Sequence, residues 1–334
     1  MSNTDKKSEI IQSFNNYIFS KKTFDIKDTV LVAGSPRSGT TWITELLAYL
    51  PKYTYIFEPL NPVWNPEIFK IGFSSRMYIS KNTKWNEGKN YLLDVFTGKT
   101  SNLPIKGSIS KSIIPGFSLN KFFHFLLGNK LIIKSTNMNR MLSWINNNFQ
   151  LRDIVLIIRH PCACIASQMK SGLYGYRTNK SPYIDIIPTK EIILDEIQKI
   201  SELNDSLIKK IKNIDKKEEI FATAWCLDNY FLISQKNFYP WKLIFYEKLI
   251  KNSDEEIINL FKKIGEKKVP KNVFKNLKKP SSVTMKEDKK YINHPNKQLS
   301  KWKDYLSEKQ IKRILNVLSI FEIDLYNENL EPNY

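Results

Sequence analysis

The chain is short of cysteine, histidine, acidic residues and long apolar runs, and each shortage removes a class of protein. Cys162, Cys164 and Cys226 are its only cysteines. An odd number without framework spacing argues against a disulfide scaffold and suits a reducing compartment. Cys162, Cys164 and His160 crowd three potential ligands into five positions of one segment, with no second cluster. That is a poor metal site, so no metal is expected. Residues 1–25 are polar and mixed in charge, unlike a secretory signal. No apolar run approaches the ~20 residues that span a bilayer. The expectation is a soluble, cytoplasmic protein with no transmembrane segment. Neither an internal repeat nor a low-complexity linker divides the chain, and residues 1–334 fit one large α/β domain.

The deficit of acids is informative in its own right. Against 52 Lys and Arg stand 33 Asp and Glu, a formal charge of +19. Such an excess points to an anionic partner, with nucleic acid first and a polyanionic nucleotide or glycan second. Abundant Lys, Asn and Ile also mark a compositional bias that raises surface lysine without any partner. No nucleic-acid module is recognisable and the motif arginines stand at strand ends, so nucleic acid is not the expected partner.

Residues 29–33, 53–57, 131–133, 154–158 and 243–245 are short runs rich in aliphatic or β-branched side chains. Unalternated runs of this length predict central strands covered on both faces. Helical patterns lie between them, at 41–50, 162–170, 190–211 and 218–235. Ser253, before Asp254-Glu255-Glu256, and Ser307, before Glu308, read as N-caps, the second for a helix running to about Phe321. Alternating strands and helices predict a three-layer α/β/α fold around a parallel sheet of about five strands. Residues 61–114 and 172–188 fit that scheme poorly and read as lid or substrate insertions, and 278–303 is similar.

The strongest signal is Val30-Leu-Val-Ala-Gly34-Ser-Pro-Arg37-Ser38-Gly39-Thr40-Thr41-Trp42. A strand ends at Gly34, a short loop follows and a helix begins at about Thr40. This is the geometry of a phosphate-cradling P-loop, with backbone N–H groups and a helix N-terminus aimed at an anion. An ATP-binding loop would read G-x-x-x-x-G-K-[ST]. Here the Gly34-to-Gly39 spacing is kept, Thr40 replaces the lysine, and the basic residue has moved into the loop as Arg37. The strand at 154–158 ends in Arg159-His160-Pro161, where a Mg²⁺-dependent enzyme often carries Asp. A cationic strand end suits a second phosphate instead.

The run from Pro36 to Trp42 resembles the 5'-phosphosulfate loop of sulfotransferases that use PAPS (3'-phosphoadenosine-5'-phosphosulfate). A second family element, Arg-x-Pro with Ser eight residues after the Arg, stands as Arg159-His160-Pro161 and Ser167. The resemblance implies a P-loop α/β fold and a nucleotide-binding transferase with PAPS as donor, PAP as product and no metal. It places Arg37, Ser38, Gly39, Thr40, Thr41 and Trp42 on the 5' side of the donor, and Arg159 and Ser167 on its 3'-phosphate. Phe245-Tyr246-Glu247-Lys248-Leu249 resembles the stretch whose Tyr lies near adenine. Ser281 to Lys286 and Lys301-Trp302-Lys303 are similar to C-terminal segments that cover the donor. The Arg-Lys-Gly triplet of the cytosolic members is missing, and Lys297 is a loose substitute.

In-line sulfonyl transfer needs charge neutralised on the leaving phosphate, donors on the sulfonate, and removal of the acceptor's proton. Arg37 and the loop amides, with Thr40 and Thr41, serve the first two. Lys134 stands where the family has its lysine near the sulfonate. Cytosolic members carry a His two residues later, but Thr136 stands here. His124 lies in an aromatic run, and neither His160 nor His294 has a matching place. Glu58, in Phe57-Glu58-Pro59-Leu60, resembles the Glu-Pro segment of carbohydrate sulfotransferases, where a glutamate is the base. The chain is thus nearer to carbohydrate and bacterial-type members than to the His-base type, and its expected acceptor is a carbohydrate or glycolipid hydroxyl. A small alcohol or phenol acceptor, or a kinase-like transferase with a degenerate loop, are the alternatives.

Overall fold

The computed structural model describes residues 23–62, 65–99, 128–171, 188–233, 240–291 and 294–333. Its five strands are β1 (Thr29–Ala33), β2 (Tyr53–Phe57), β3 (Lys130–Ser135), β4 (Asp153–Ile158) and β5 (Lys242–Phe245). They form one all-parallel sheet in the order β2-β3-β1-β4-β5. Its helices in chain order are α1 (Thr40–Leu47), α2 (Ile68–Ile71), α3 (Asn86–Phe96), α4 (Leu142–Asn148), α5 (Pro161–Ser171), α6 (Lys190–Gln198) and α7 (Asp205–Lys212). There follow α8 (Lys217–Ile233), α9 (Tyr246–Lys251), α10 (Ser253–Lys263), α11 (Lys271–Leu277), α12 (Pro295–Ser300) and α13 (Glu308–Ile320). None of them is long and apolar enough to cross a membrane.

The sheet is central because its strands are apolar on both sides. Successive side chains of a strand point to opposite faces. Val30, Val32, Ile132, Val155 and Ile157 therefore join one core, with α1, α9, α10 and α11. Leu31, Ala33, Leu131, Ile133, Ile154 and Leu156 join the other, with α3, α4, α5, α8 and α13. This is the expected α/β/α sandwich. The unbroken Val/Ile/Leu runs mark buried parallel strands because no residue in them has a solvent side.

The two layers also position the site. β1 leads into α1 on one face, whereas β4, its neighbour, leads into α5 on the other. The loops after these adjacent strands part company, leaving a crevice at the carboxyl edge, where open α/β sheets bind ligands.

Element ends differ from expectation for local reasons. The stretch 190–211 is two helices, because Asn204 interrupts it by accepting from Leu207 N at 2.8 Å as the cap of α7. Ser253 lies inside its helix, and its hydroxyl bonds back to Leu249 O at 2.7 Å while Asn252 holds the cap position. Ser307 does cap α13, in a reciprocal box with Gln310. The described part of the 61–114 insertion is packed: Phe73, Ile79, Leu92, Val95 and Phe96 lie in the core. Arg76 and Arg140 enclose the buried Asp228 of α8. Residues 100–114 and 172–187 lie outside the described residues.

Candidate active site

The loop from Gly34 to Gly39 turns sharply, with Ser38 N donating to Ser35 O at 3.1 Å. The carbonyls of Pro36 and Arg37 and the Ser35 hydroxyl are tied back into the protein. Gln168 Nε2 donates to Pro36 O at 2.9 Å, Arg159 Nη1 to Arg37 O at 2.9 Å, and Asn229 Nδ2 to Ser35 Oγ at 2.9 Å. Glycine is required at both ends. A Cβ on Gly34 would stand 2.6 Å from Ile157 O, and one on Gly39, at φ 104°, would stand 2.7 Å from the Tyr246 ring. Arg37 itself has φ 70°, a left-handed conformation costly for a side chain of its size.

Arg159, at the end of β4, lies with its guanidinium 4.2 Å from the centre of the Tyr246 ring, a cation–π contact. Tyr246 meets Trp42 edge-on at 6.1 Å and accepts from Gln298 Nε2 at 2.8 Å. Arg37 Nε donates to Ser167 Oγ at 2.9 Å. The 5'-side and 3'-side residues of the sequence reading therefore meet in one cluster rather than in two separated pockets. The cause is the sheet order: β1 and β4 are neighbours, so their loops begin about 5 Å apart. A ribose bisphosphate carries its two anions on one sugar, which suits such adjacency.

Three buried donors of this cluster have no hydrogen-bond partner among the described residues: Ser38 Oγ, Trp42 Nε1 and Arg159 Nε. Unsatisfied buried donors are costly, and a phosphate is a multivalent acceptor for donors of this kind. Lys301 adds a further cation, bonded to Asp288 at 2.6 Å. Burial, reinforced by the charges of Arg159 and Arg37, pulls the Lys301 amine down to about 8 although Asp288 opposes the shift. Burial works against ionised Asp288, but Lys301 and Lys170 hold its carboxyl below the usual range.

The other end of the cavity is formed by β2 and β3. Glu58, with φ 49°, is buried, and its N–H donates to Lys134 O at 2.7 Å. Its Oε1 accepts from Lys134 Nζ and, at 2.8 Å, from Thr136 Oγ1. Its Oε2 accepts from Thr136 N at 2.9 Å and from Asn137 Nδ2 at 3.4 Å. Lys134 Nζ also lies 4.5 Å from the centre of the Phe57 ring. Thr136 thus donates to both carboxylate oxygens of Glu58.

Arg37, Gly39, Thr40, Thr41, Trp42, Glu58, Lys134, Arg159, Ser167 and Tyr246 all line one cavity of about 940 Å³, large enough for a nucleotide. Ser38 lies buried behind its wall. Lys297 and His294 are exposed and off the cavity, Ser282 lines it, and His124 lies outside the described residues. His160 is structural. Its Nδ1 accepts from Cys162 N at 3.2 Å, so Nε2 is left to donate to Asn327 O at 2.9 Å. The ring stacks on Trp302, and burial lowers its pKa to about 4.

The sequence reading missed Asn229, which props the loop, and the tie that Ser282 N and Oγ make to Glu45 of α1. A signal for Asn229 existed: Asp228-Asn229 is a polar pair inside an otherwise apolar helical run. Among the described residues no group of three or more His, Cys, Asp or Glu side chains is placed to hold a metal.

No family model matches the sequence, and no curated protein matches it. The chain is similar to several solved structures. One is the sulfotransferase domain from the Synechococcus PCC 7002 olefin synthase, 14% identical, with 92% of this chain and 97% of that chain covered at a TM-score of 0.44. Another is the sulfotransferase domain from the curacin biosynthetic pathway, 15% identical, with 90% and 99% covered at 0.40. A third is retinol dehydratase in complex with androsterone and inactive cofactor PAP, 15% identical, with 91% and 83% covered at 0.41.

Proposed function

We propose that the chain is a sulfotransferase that moves the sulfonate group of PAPS to an acceptor hydroxyl, leaving PAP. The observation that carries this reading is the cation cluster where β1 and β4 diverge. Arg37 and Arg159 meet there, and Arg159 Nε, Ser38 Oγ and Trp42 Nε1 are buried without a partner among the described residues. PAPS supplies a sulfonate already activated on a phosphate leaving group. Arg159 and Ser167 would hold its 3'-phosphate. Arg37, Thr40, Thr41 and the amide of Gly39 would neutralise the 5' side as charge builds there. Tyr246 would lie near the adenine, with Trp42 on the 5' side.

Glu58 is the proposed general base and Lys134 the donor to the sulfonate oxygens. A carboxylate has about four lone-pair sites, and all four on Glu58 are engaged. To take a proton it must lose a donor. Lys134 is the one with an alternative anion, the sulfonate, so donor binding would release the base. As the acceptor oxygen bonds to sulfur and the bridging sulfur–oxygen bond breaks, the proton passes to Glu58.

A glutamate in place of the cytosolic-type histidine favours a carbohydrate or glycolipid acceptor over a small alcohol or phenol. The test is twofold. Calorimetry should show PAP binding without Mg²⁺ and no comparable binding of ATP–Mg²⁺. Labelled PAPS, offered with a panel of glycans, small alcohols and phenols, should transfer label to a glycan. A chain that does not bind PAP is not this enzyme.

A further inference from the structure

The excess positive charge is not spread evenly. Residues 262–290 contain eleven lysines and three acids, whereas residues 190–233 contain seven lysines and nine acids. A compositional bias toward lysine acts on both stretches alike, so it does not explain the contrast. The three acids of the first stretch are also largely occupied. Glu266 accepts from Tyr53 Oη, Lys130 and Arg152, and Asp288 is paired with Lys301 and Lys170. All eleven lysines are exposed, and none forms an ion pair among the described residues.

Their placement is directional. In α11, Val273 and Leu277 are buried against the core. Lys271, Lys275 and Lys278 follow the i, i+4, i+7 stripe on the opposite face, over about 10 Å of helix. The stripe ends at the cavity, which Lys278 and Lys279 line. Unpaired lysines leading into a cavity raise the local concentration of anions and guide them inward.

We propose that this lysine track binds a polyanionic polysaccharide, so that the acceptor is a glycan already bearing carboxylate, sulfate or phosphate groups. The inference rests on the sulfotransferase reading for the hydroxyl, and on the track for the charge. A polysaccharide combines both: repeated anionic groups for the lysines and free hydroxyls for Glu58. A DNA duplex offers hydroxyls only at its ends. A membrane calls for apolar anchors beside the cations, and the exposed large hydrophobics of the described residues, Tyr49, Leu93, Ile258 and Tyr305, all lie outside the track.

The experiment compares the wild type with two quadruple variants of the full chain. The track variant, Lys267→Gln, Lys268→Gln, Lys271→Gln and Lys275→Gln, spares the cavity lining. The control, Lys209→Gln, Lys210→Gln, Lys212→Gln and Lys216→Gln, removes equal charge from exposed positions of the balanced stretch. Probes are polygalacturonate, neutral dextran, a short DNA duplex and phosphatidylglycerol vesicles at low salt, with PAP binding and thermal melting measured alongside. The wild type should bind polygalacturonate in preference to the others. The track variant should bind it roughly 10- to 50-fold more weakly, with a shallower salt dependence, and the control should stay within about twofold. Equal losses in both variants, or a preference for DNA or vesicles, overturn the proposal. PAP binding without polygalacturonate binding refutes the track alone, whereas absence of PAP binding strikes the donor reading.

Discussion

At the β1–β4 end of the cavity, Ser38 Oγ, Trp42 Nε1 and Arg159 Nε are buried without partners among the described residues, and cations gather. At the β2–β3 end, Glu58 and Lys134 neutralise each other and each oxygen of Glu58 has two donors. The first end carries more cationic than anionic side chains. The second is balanced and has to be unbalanced before it can do proton chemistry. In the proposed reading, the binding end and the reacting end thus differ in whether their polar groups are satisfied beforehand.

The largest expected effect tests the first end. Arg37→Ala should lower PAPS-dependent transfer by about 10³-fold, because it removes a cation from the developing leaving-group charge; a normal rate in the labelled-PAPS assay would erase the contrast between the ends. Next, Glu58→Gln should cut turnover about 10²-fold or more while PAP affinity, by calorimetry, changes less than about twofold. Loss of both in equal measure would show that the two ends act as one unit. Arg159→Ala should weaken PAP about 10- to 100-fold, the worth of a charged hydrogen bond, with turnover at saturating PAPS nearly kept. The smallest effect is one of pH. Because free Lys301 titrates near 8, it is already charged below that value. Above it, binding an anion must also take up a proton, so PAP affinity should fall as pH rises from about 8, by up to tenfold per pH unit. Lys301→Met should flatten that profile, and an unchanged slope would remove Lys301 from the site.

The first end was legible in the sequence because its geometry is local: a strand, a glycine-bounded loop and a helix start lie within Val30 to Trp42, and Arg159 and Ser167 sit on one strand–helix junction. That Arg37 reaches Ser167 was not legible, since it follows from β1 lying next to β4, a pairing that no local run encodes. The same holds for Thr136 and Asn137, whose role as ligands of Glu58 exists only once β2 and β3 are in register. Apolar runs announced the sheet because burial on both faces leaves no alternation. They did not announce the break at Asn204, where one side-chain hydrogen bond decides the matter, or the helix start one residue early at Asn252, whose side chain makes no cap bond.

The Tyr246 ring occupies the space beside Gly39 that a side chain would need, and Arg159 rests on its face. Tyr246 opens α9 directly after β5, the last strand of the described residues to leave the ribosome. Four strands and the loop sequence are therefore synthesised well before the wall that shapes them. A nascent chain halted before β5 would carry every residue of the Gly34–Gly39 loop yet lack the surface against which it sets, so the proposed nucleotide binding should arise late in synthesis, with the joining of the sheet's outer edge.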